Sequence, residues 1–178
     1  MANRQALRDL QTRLAGRLAQ ARSQGVAVSW LAVEAAGLSM LLPLAQAGEI
    51  FPMTAVQAVP YTEDWFLGVA NLRGGLFGVI DFASYVTGQQ PQRRTDSARA
   101  QARLISLNPA LEINCAILID RLNGLRTSQD FESNAAPAEG APPYFSNGFI
   151  DKTGKPWQEI DLQVLATQGS FLAIGSHR

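Results

Sequence analysis

Between Phe66 and Phe82 two apolar runs of strand length meet at the turn Asn71-Leu72-Arg73-Gly74, and this block constrains the fold more than any other part of the chain. Gly74 and Gly75 tolerate positive φ and suit a tight reversal. Asn71 can hydrogen-bond the local backbone and hold that turn. Leu76 to Phe82 reads as a buried strand with a polar stop at Asp81. Arg73 is the odd member: a long cationic side chain at a rigid turn either pairs with a carboxylate of its own protein or faces a partner.

The rest of the chain is punctuated in the same short units. Val26 to Glu34 is β-branched and flanked by glycines, Ala36-Gly37 turns the chain, and Leu38 to Leu44 returns as a hairpin partner. Gly48 to Phe51 and residues 54–60 are further short extended pieces. Asp81 to Val86 suits a helical turn ended by Gly88. Residues 89–99 are polar and rich in breakers, which reads as a loop and as the best candidate for disorder. Strands are expected at Ala102 to Leu107 and Glu112 to Leu122 around the turn Asn108-Pro109, with a second long loop over residues 127–143. Phe149-Ile150-Asp151 and Trp157 to Ile160 flank Gly154 as a hairpin. Asp161 is placed to cap a short helix from Leu162 to Thr167, and Phe171 to Ile174 reads as a last strand or a docked tail. Many short strands with turn signals argue for a mainly β sandwich or barrel. Ahead of them, Leu7, Leu10, Leu14, Leu18 and Ala21 recur at helical spacing within residues 1–24, with Arg4, Arg8, Arg13, Arg17 and Arg22 around them and Asp9 as the only acid. This pattern predicts an amphipathic helix.

Catalysis finds no purchase in these residues. The one histidine, His177, adjoins the C-terminus, and the one cysteine, Cys115, lies in an apolar run, so a histidine triad and a cysteine-ligated zinc site are excluded by count. Gly74-Gly75 leads into a strand and Lys155 is followed by proline, so neither forms a phosphate-cradling loop. Asp120, Asp151, Glu159 and Asp161 sit near strand ends without a catalytic motif around them, and Trp30, Trp65 and Trp157 are spread over separate elements as core residues. A formal net charge of zero argues against nucleic acid as a partner. No run approaches the roughly 18 apolar residues of a membrane span, so the expectation is a cytoplasmic protein with no direct membrane insertion.

The order of residues in the central block resembles the CheW-like coupling proteins of bacterial chemotaxis. Their pattern, Gly-Val-x-Asn-x-Arg-Gly followed by apolar residues and Ile-Asp-Leu, is matched at Gly68, Val69, Asn71, Arg73, Gly74, Val79, Ile80 and Asp81. It is departed from at Gly78, where the family usually has proline, and at Phe82, where it usually has leucine. A second family element, Val-x-Glu-Ile, stands here as Ala47-Gly48-Glu49-Ile50. The resemblance runs from about residue 29 to 174, and the leading helix with a diverged second half is most similar to the PilI branch, which serves twitching motility.

The resemblance implies a CheW-like domain over residues 25–178, built as two small five-stranded SH3-like barrels with the N-terminal helix and a short C-terminal helix added. It implies a non-catalytic adaptor without cofactor or metal, at membrane-associated receptor arrays, that couples a CheA-type histidine kinase to the cytoplasmic tip of a methyl-accepting chemoreceptor in control of type IV pili. The implied protein-binding residues are Glu49, Ile50, Val69, Asn71, Arg73 and Gly74, with Glu49 lying across from Arg73. A flagellar chemotaxis coupling protein is the near alternative. A small β-barrel ligand carrier or enzyme is the alternative of another class.

Overall fold

The computed structural model describes residues 29–176. Strands β1 (Ser29–Ala35) and β2 (Leu38–Pro43) form the first hairpin. Its turn residues Ala36 (φ 51) and Gly37 (φ 75) are both left-handed, as a type I′ hairpin loop requires. Then come β3 (Ala47–Pro52), β4 (Phe66–Leu72), β5 (Gly75–Asp81) and two short helices, α1 (Phe82–Thr87) and α2 (Asp96–Gln101). Strands β6 (Arg103–Leu107), β7 (Cys115–Ile119), β8 (Arg121–Thr127), β9 (Phe131–Ala135), β10 (Phe145–Asp151) and β11 (Pro156–Ile160) follow, and α3 (Leu162–Thr167) and α4 (Gly169–Leu172) close the described chain.

These strands make a six-stranded sheet in the order β8-β1-β2-β11-β10-β9 and a five-stranded sheet in the order β3-β6-β7-β5-β4. Most pairs are antiparallel; β2–β11 and β5–β7 are parallel. The expected pair of five-stranded barrels is therefore corrected: both sheets are open. In the larger one the chain passes from β8 to β9 through the single turn Ser128–Asp130, where the Asp130 carboxylate accepts from the Thr127 N–H and hydroxyl. The two edge strands that this turn joins do not pair with each other. In the smaller sheet, the stretch after edge strand β3 pairs with edge strand β4 only at the isolated bridge Gln57–Val69. The sheets are nonetheless strongly curled. Trp30 on β1 lies 5.8 Å from Phe131 on β9, whereas a flat sheet would hold strands four places apart about 19 Å from each other.

Alternation along the strands sorts side chains into three apolar clusters. The largest lies between the sheets and joins Leu31, Val33, Met40 and Leu42 to Ile80, Ile105 and Ile117. Phe82, the departure from the family's leucine, is fully buried in it. Smaller clusters occupy the far side of each sheet: Leu72, Val79, Leu104 and Leu118 on one, Trp30, Leu41, Phe149 and Trp157 on the other. Burial of Trp30 and Trp157 agrees with their reading as core residues.

The cap at Asp161 and the stop at Gly88 follow the sequence, and Asp81, read as a polar stop, proves to be a cap as well. The Asp81 carboxylate accepts from the Ser84 N–H at 3.1 Å to start α1, and Gly88 at φ 67 ends it. The Asp161 carboxylate accepts from the Gln163 and Val164 N–H groups at the start of α3. Phe171 is docked, stacked on Trp65 with ring centroids 6.1 Å apart.

Three expectations fail in detail. The Glu112–Leu122 strand is divided: left-handed Glu112, which ends a 3-10 turn (Pro109–Leu111), stands at its start, β7 takes Cys115–Ile119, and Arg121 and Leu122 already belong to β8. The second long loop contains β9. The polar segment 89–99 carries the first turn of α2 and is pinned by Arg94, which reaches Asp81 at 2.9 Å and Asp120 at 2.7 Å. The expected amphipathic helix of residues 1–24 and His177 lie outside the described residues. Among the described residues no helix is long and apolar enough to cross a membrane.

Candidate functional site

The β4–β5 hairpin is closed by Arg73 (φ 48) and Gly74 (φ 85), with Leu72 paired to Gly75. Two left-handed residues in succession define a type I′ turn, whose twist matches that of the strands it joins. The Gly74 N–H donates to Asn71 Oδ1 at 2.8 Å, so Asn71 holds the turn as expected from its position. Glycine freedom is spent at Gly74; Gly75, the other candidate, already belongs to β5.

Glu49 reaches this turn from edge strand β3 because the strand is bulged. Ala47 pairs with Leu107 and Ile50 with Ile105, so β3 carries one residue more than β6 over the same interval. A bulge re-aims side chains, and here Glu49 and Ile50 both face outward although they are adjacent. Ser106 sits under the bulge, its Oγ accepting the Glu49 N–H at 2.9 Å. A Cβ on Gly48 would lie 2.5 Å from that oxygen, which fixes glycine at this place. Arg73 then meets Glu49 at 2.9 Å, with side-chain exposures of 76% and 55%. An ion pair that open contributes ~0–1 kcal/mol to the fold.

Around the pair, Ile50 and Leu76 are exposed. A cleft of about 370 Å³ runs between β3 and the hairpin, with Phe51, Phe77 and Pro109 among its walls. The structure thus brings together Glu49, Ile50, Asn71, Arg73 and Gly74. Val69 is set differently: its side chain is half-buried against the central core, and its backbone pairs with Gln57. Gly68, at φ 131, is obligatory there, since a Cβ would fall 2.1 Å from the Gln57 carbonyl oxygen. Gly78 donates its N–H to the Asn114 carbonyl at 2.9 Å, a bond that proline could not make. Ala47 is buried in the central cluster. Ser106 was missed in the sequence, where its only signal is a lone hydroxyl within an apolar strand.

The remaining titratable groups are structural. Burial pushes the Cys115 thiol up to about 12, so it is inert at neutral pH. Asp120 accepts from the Ala36 N–H and from Arg94, and Asp161 caps a helix. Glu159 accepts from the Trp30 indole at 2.6 Å. Among the described residues no group of three or more metal-ligating side chains converges.

Residues 29–169 match the CheW-like domain family. The chain belongs to the CheW-like domain family. Protein PilI of Pseudomonas aeruginosa is 25% identical over 141 residues, spanning 78% of this chain and 75% of that protein. The crystal structure of the scaffolding protein TtCheW from Thermoanaerobacter tengcongensis superposes with a TM-score of 0.61 at 15% identity, covering 76% of this chain and 89% of that one, a likeness of fold. CheW-like domains are non-catalytic scaffolds that partner CheA-type kinases and receptors, and this chain is such a scaffold of a chemosensory or pilus-related system. In this CheW-like domain the family's acidic strand element and its arginine turn form one outward-facing patch.

Proposed function

We propose that this CheW-like domain couples a CheA-type histidine kinase to the cytoplasmic tip of a methyl-accepting chemoreceptor, at membrane-associated arrays in the cytoplasm that control type IV pili. In this reading the contact surface is the patch of Glu49, Ile50, Asn71, Arg73 and Gly74, with Val69 setting the strand beneath it. The carrying observation is the conformation of Arg73. A type I′ turn favours asparagine or glycine at that position, and a left-handed backbone costs an ordinary residue about 1–2 kcal/mol. An ion pair worth ~0–1 kcal/mol does not recover that cost for the fold. What arginine supplies is a charge held by Glu49 in one geometry and presented to solvent beside Ile50 and Leu76. A rigid patch binds without the entropy of ordering itself. PilI, similar over most of this chain, supports the pilus assignment over the flagellar one.

The test is titration of Arg73→Glu against the kinase's CheW-like regulatory domain and against receptor-tip fragments. Truncating one member of a buried interfacial charge pair costs ~2–5 kcal/mol, so affinity for at least one partner should fall thirtyfold or more while the melting curve holds. A variant that binds both partners like wild type would remove the patch from the interface.

A further inference from the structure

A second surface lies away from the arginine turn. Glu63, Asp64 and Trp65 lead into β4, and together with Tyr85 of α1 and Tyr144 before β10 they line a hollow of about 550 Å³. The rings are in contact, Tyr85 lying 5.1 Å from Trp65 and 5.7 Å from Tyr144. Two carboxylates and three aromatic rings contribute to the walls, and none of the lining residues is basic. Such a hollow suits a guanidinium or ammonium group, which gains from carboxylates and ring faces alike. Its lining is mixed polar and apolar, and two exposed apolar side chains next to lining segments extend its rim. Leu172 is 53% exposed and Tyr61 83% exposed, and both are tied to the hollow by the pairing of residues 61–63 with the C-terminal tail, in which the Glu63 N–H donates to the Ile174 carbonyl.

The chain itself contains a matching segment. Residues 1–28 carry five arginines and one acid; the whole chain has fifteen basic and fifteen acidic residues, so the remainder holds ten basic and fourteen acidic. The neutral protein is a basic leader joined to an acidic body. The leader's leucines at 7, 10, 14 and 18 would meet an apolar rim, and its arginines would flank them. The reach is also adequate. Ser29 accepts from the Leu44 N–H, and two residues further on Gln46 bonds both Asp161 and the Leu162 N–H, which puts the start of the described chain beside the start of α3. The six residues of α3 extend about 9 Å toward the hollow, and residues 24–28 can span up to about 17 Å.

We propose that the hollow between Glu63, Trp65, Tyr85 and Tyr144, with its apolar rim at Tyr61 and Leu172, is the docking site of this chain's own basic leader, residues 4–23. The leader places arginine among the carboxylates and rings and leucine on the rim. This inference is independent of the role of Arg73.

Hydrogen exchange on the full chain tests it. The amides of Leu10, Leu14 and Leu18 should exchange at least tenfold more slowly than an unstructured peptide. Leu172→Asp, at an exposed site, and the charge reversal Glu63→Lys/Asp64→Lys should each return them to within about twofold of that rate. Leu125→Asp, at an exposed leucine of β8, should leave them slow. Should Leu172→Asp lose its fold by circular dichroism, the charge reversal decides alone. Free exchange in the wild-type protein overturns the proposal, as does protection that survives the decisive variant. Protection that appears only as light scattering reports dimers, or only with vesicles containing phosphatidylserine, assigns the leader to a second copy or to an anionic surface and equally overturns it.

Discussion

Two arginines of this molecule each hold carboxylates at 2.9 Å or closer, and they do opposite work. Arg73 meets Glu49 in the open, at the tip of a turn whose geometry is set by backbone and Asn71. Arg94 is 15% exposed and reaches Asp81, which is 1% exposed and also caps α1. Its other bond goes to Asp120, which holds the β1–β2 turn through the Ala36 N–H. Arg94 thereby fastens the polar segment to elements of both sheets. Burial opposes its charge, but the two carboxylates more than offset that and raise its pKa. The same pair of side-chain types is a fastening where water is excluded and a presented charge where it is not.

Arg94→Ala should break the comparison most visibly. Removing one partner of a buried pair costs ~3–5 kcal/mol, because the other charge stays buried. At about 2–4 °C per kcal/mol for a chain of this size, the melting temperature should fall by roughly 6–20 °C. A shift under 2 °C in scanning calorimetry would place Arg94 with Arg73 as a surface group.

Asp151 sharpens the buried side of the comparison through pH. Its carboxylate accepts from the Thr153 hydroxyl and N–H, the Lys155 N–H and the Trp157 indole, and these bonds hold its pKa well below the usual carboxylate range. A depressed folded-state pKa contributes stability above the unfolded value of about 4 and loses it as pH falls below that. Asp151→Asn should therefore be less stable than wild type at pH 6, with the gap narrowing toward pH 2. Urea melts with a constant gap across that range would show that the network does not discriminate the charged form.

The smallest effect on stability is expected at the other end of the comparison. Arg73→Gly suits the I′ turn better than arginine does while deleting the ion pair, so the unfolding free energy from urea melts should change by ~1 kcal/mol or less in either direction. A loss above about 2 kcal/mol would mean that Arg73 is a structural fastening after all.

The contrast also separates what could be read from the residues from what could not. Asn71-Leu72-Arg73-Gly74 announces its turn because the information is local: a side-chain acceptor, a tolerant glycine and two flanking strands. The cap at Asp161 is legible for the same reason. Glu49 could be matched to Arg73 only through the resemblance, since the bulge that turns it outward depends on Ser106, fifty-seven positions away. Arg93 and Arg94 are indistinguishable in a polar stretch that reads as a loop, yet only Arg94 meets Asp81 and Asp120.

Sheet closure shows the same limit. The alternation of apolar residues follows from propensity and period, and the sequence alone sets it, together with the turns and the opposed charges of leader and body; strand number does not follow, since β9 lies in a stretch that reads as a loop. Whether edge strands meet is decided by distant geometry. β8 and β9 follow each other through one 3-10 turn after Thr127 without pairing, and the stretch after β3 pairs with β4 at a single bridge, Gln57–Val69. Open sheets, the bulge under Glu49 and the burial of Arg94 belong to the tertiary structure, because each is fixed by contacts between residues far apart in the chain, where local preference carries no information.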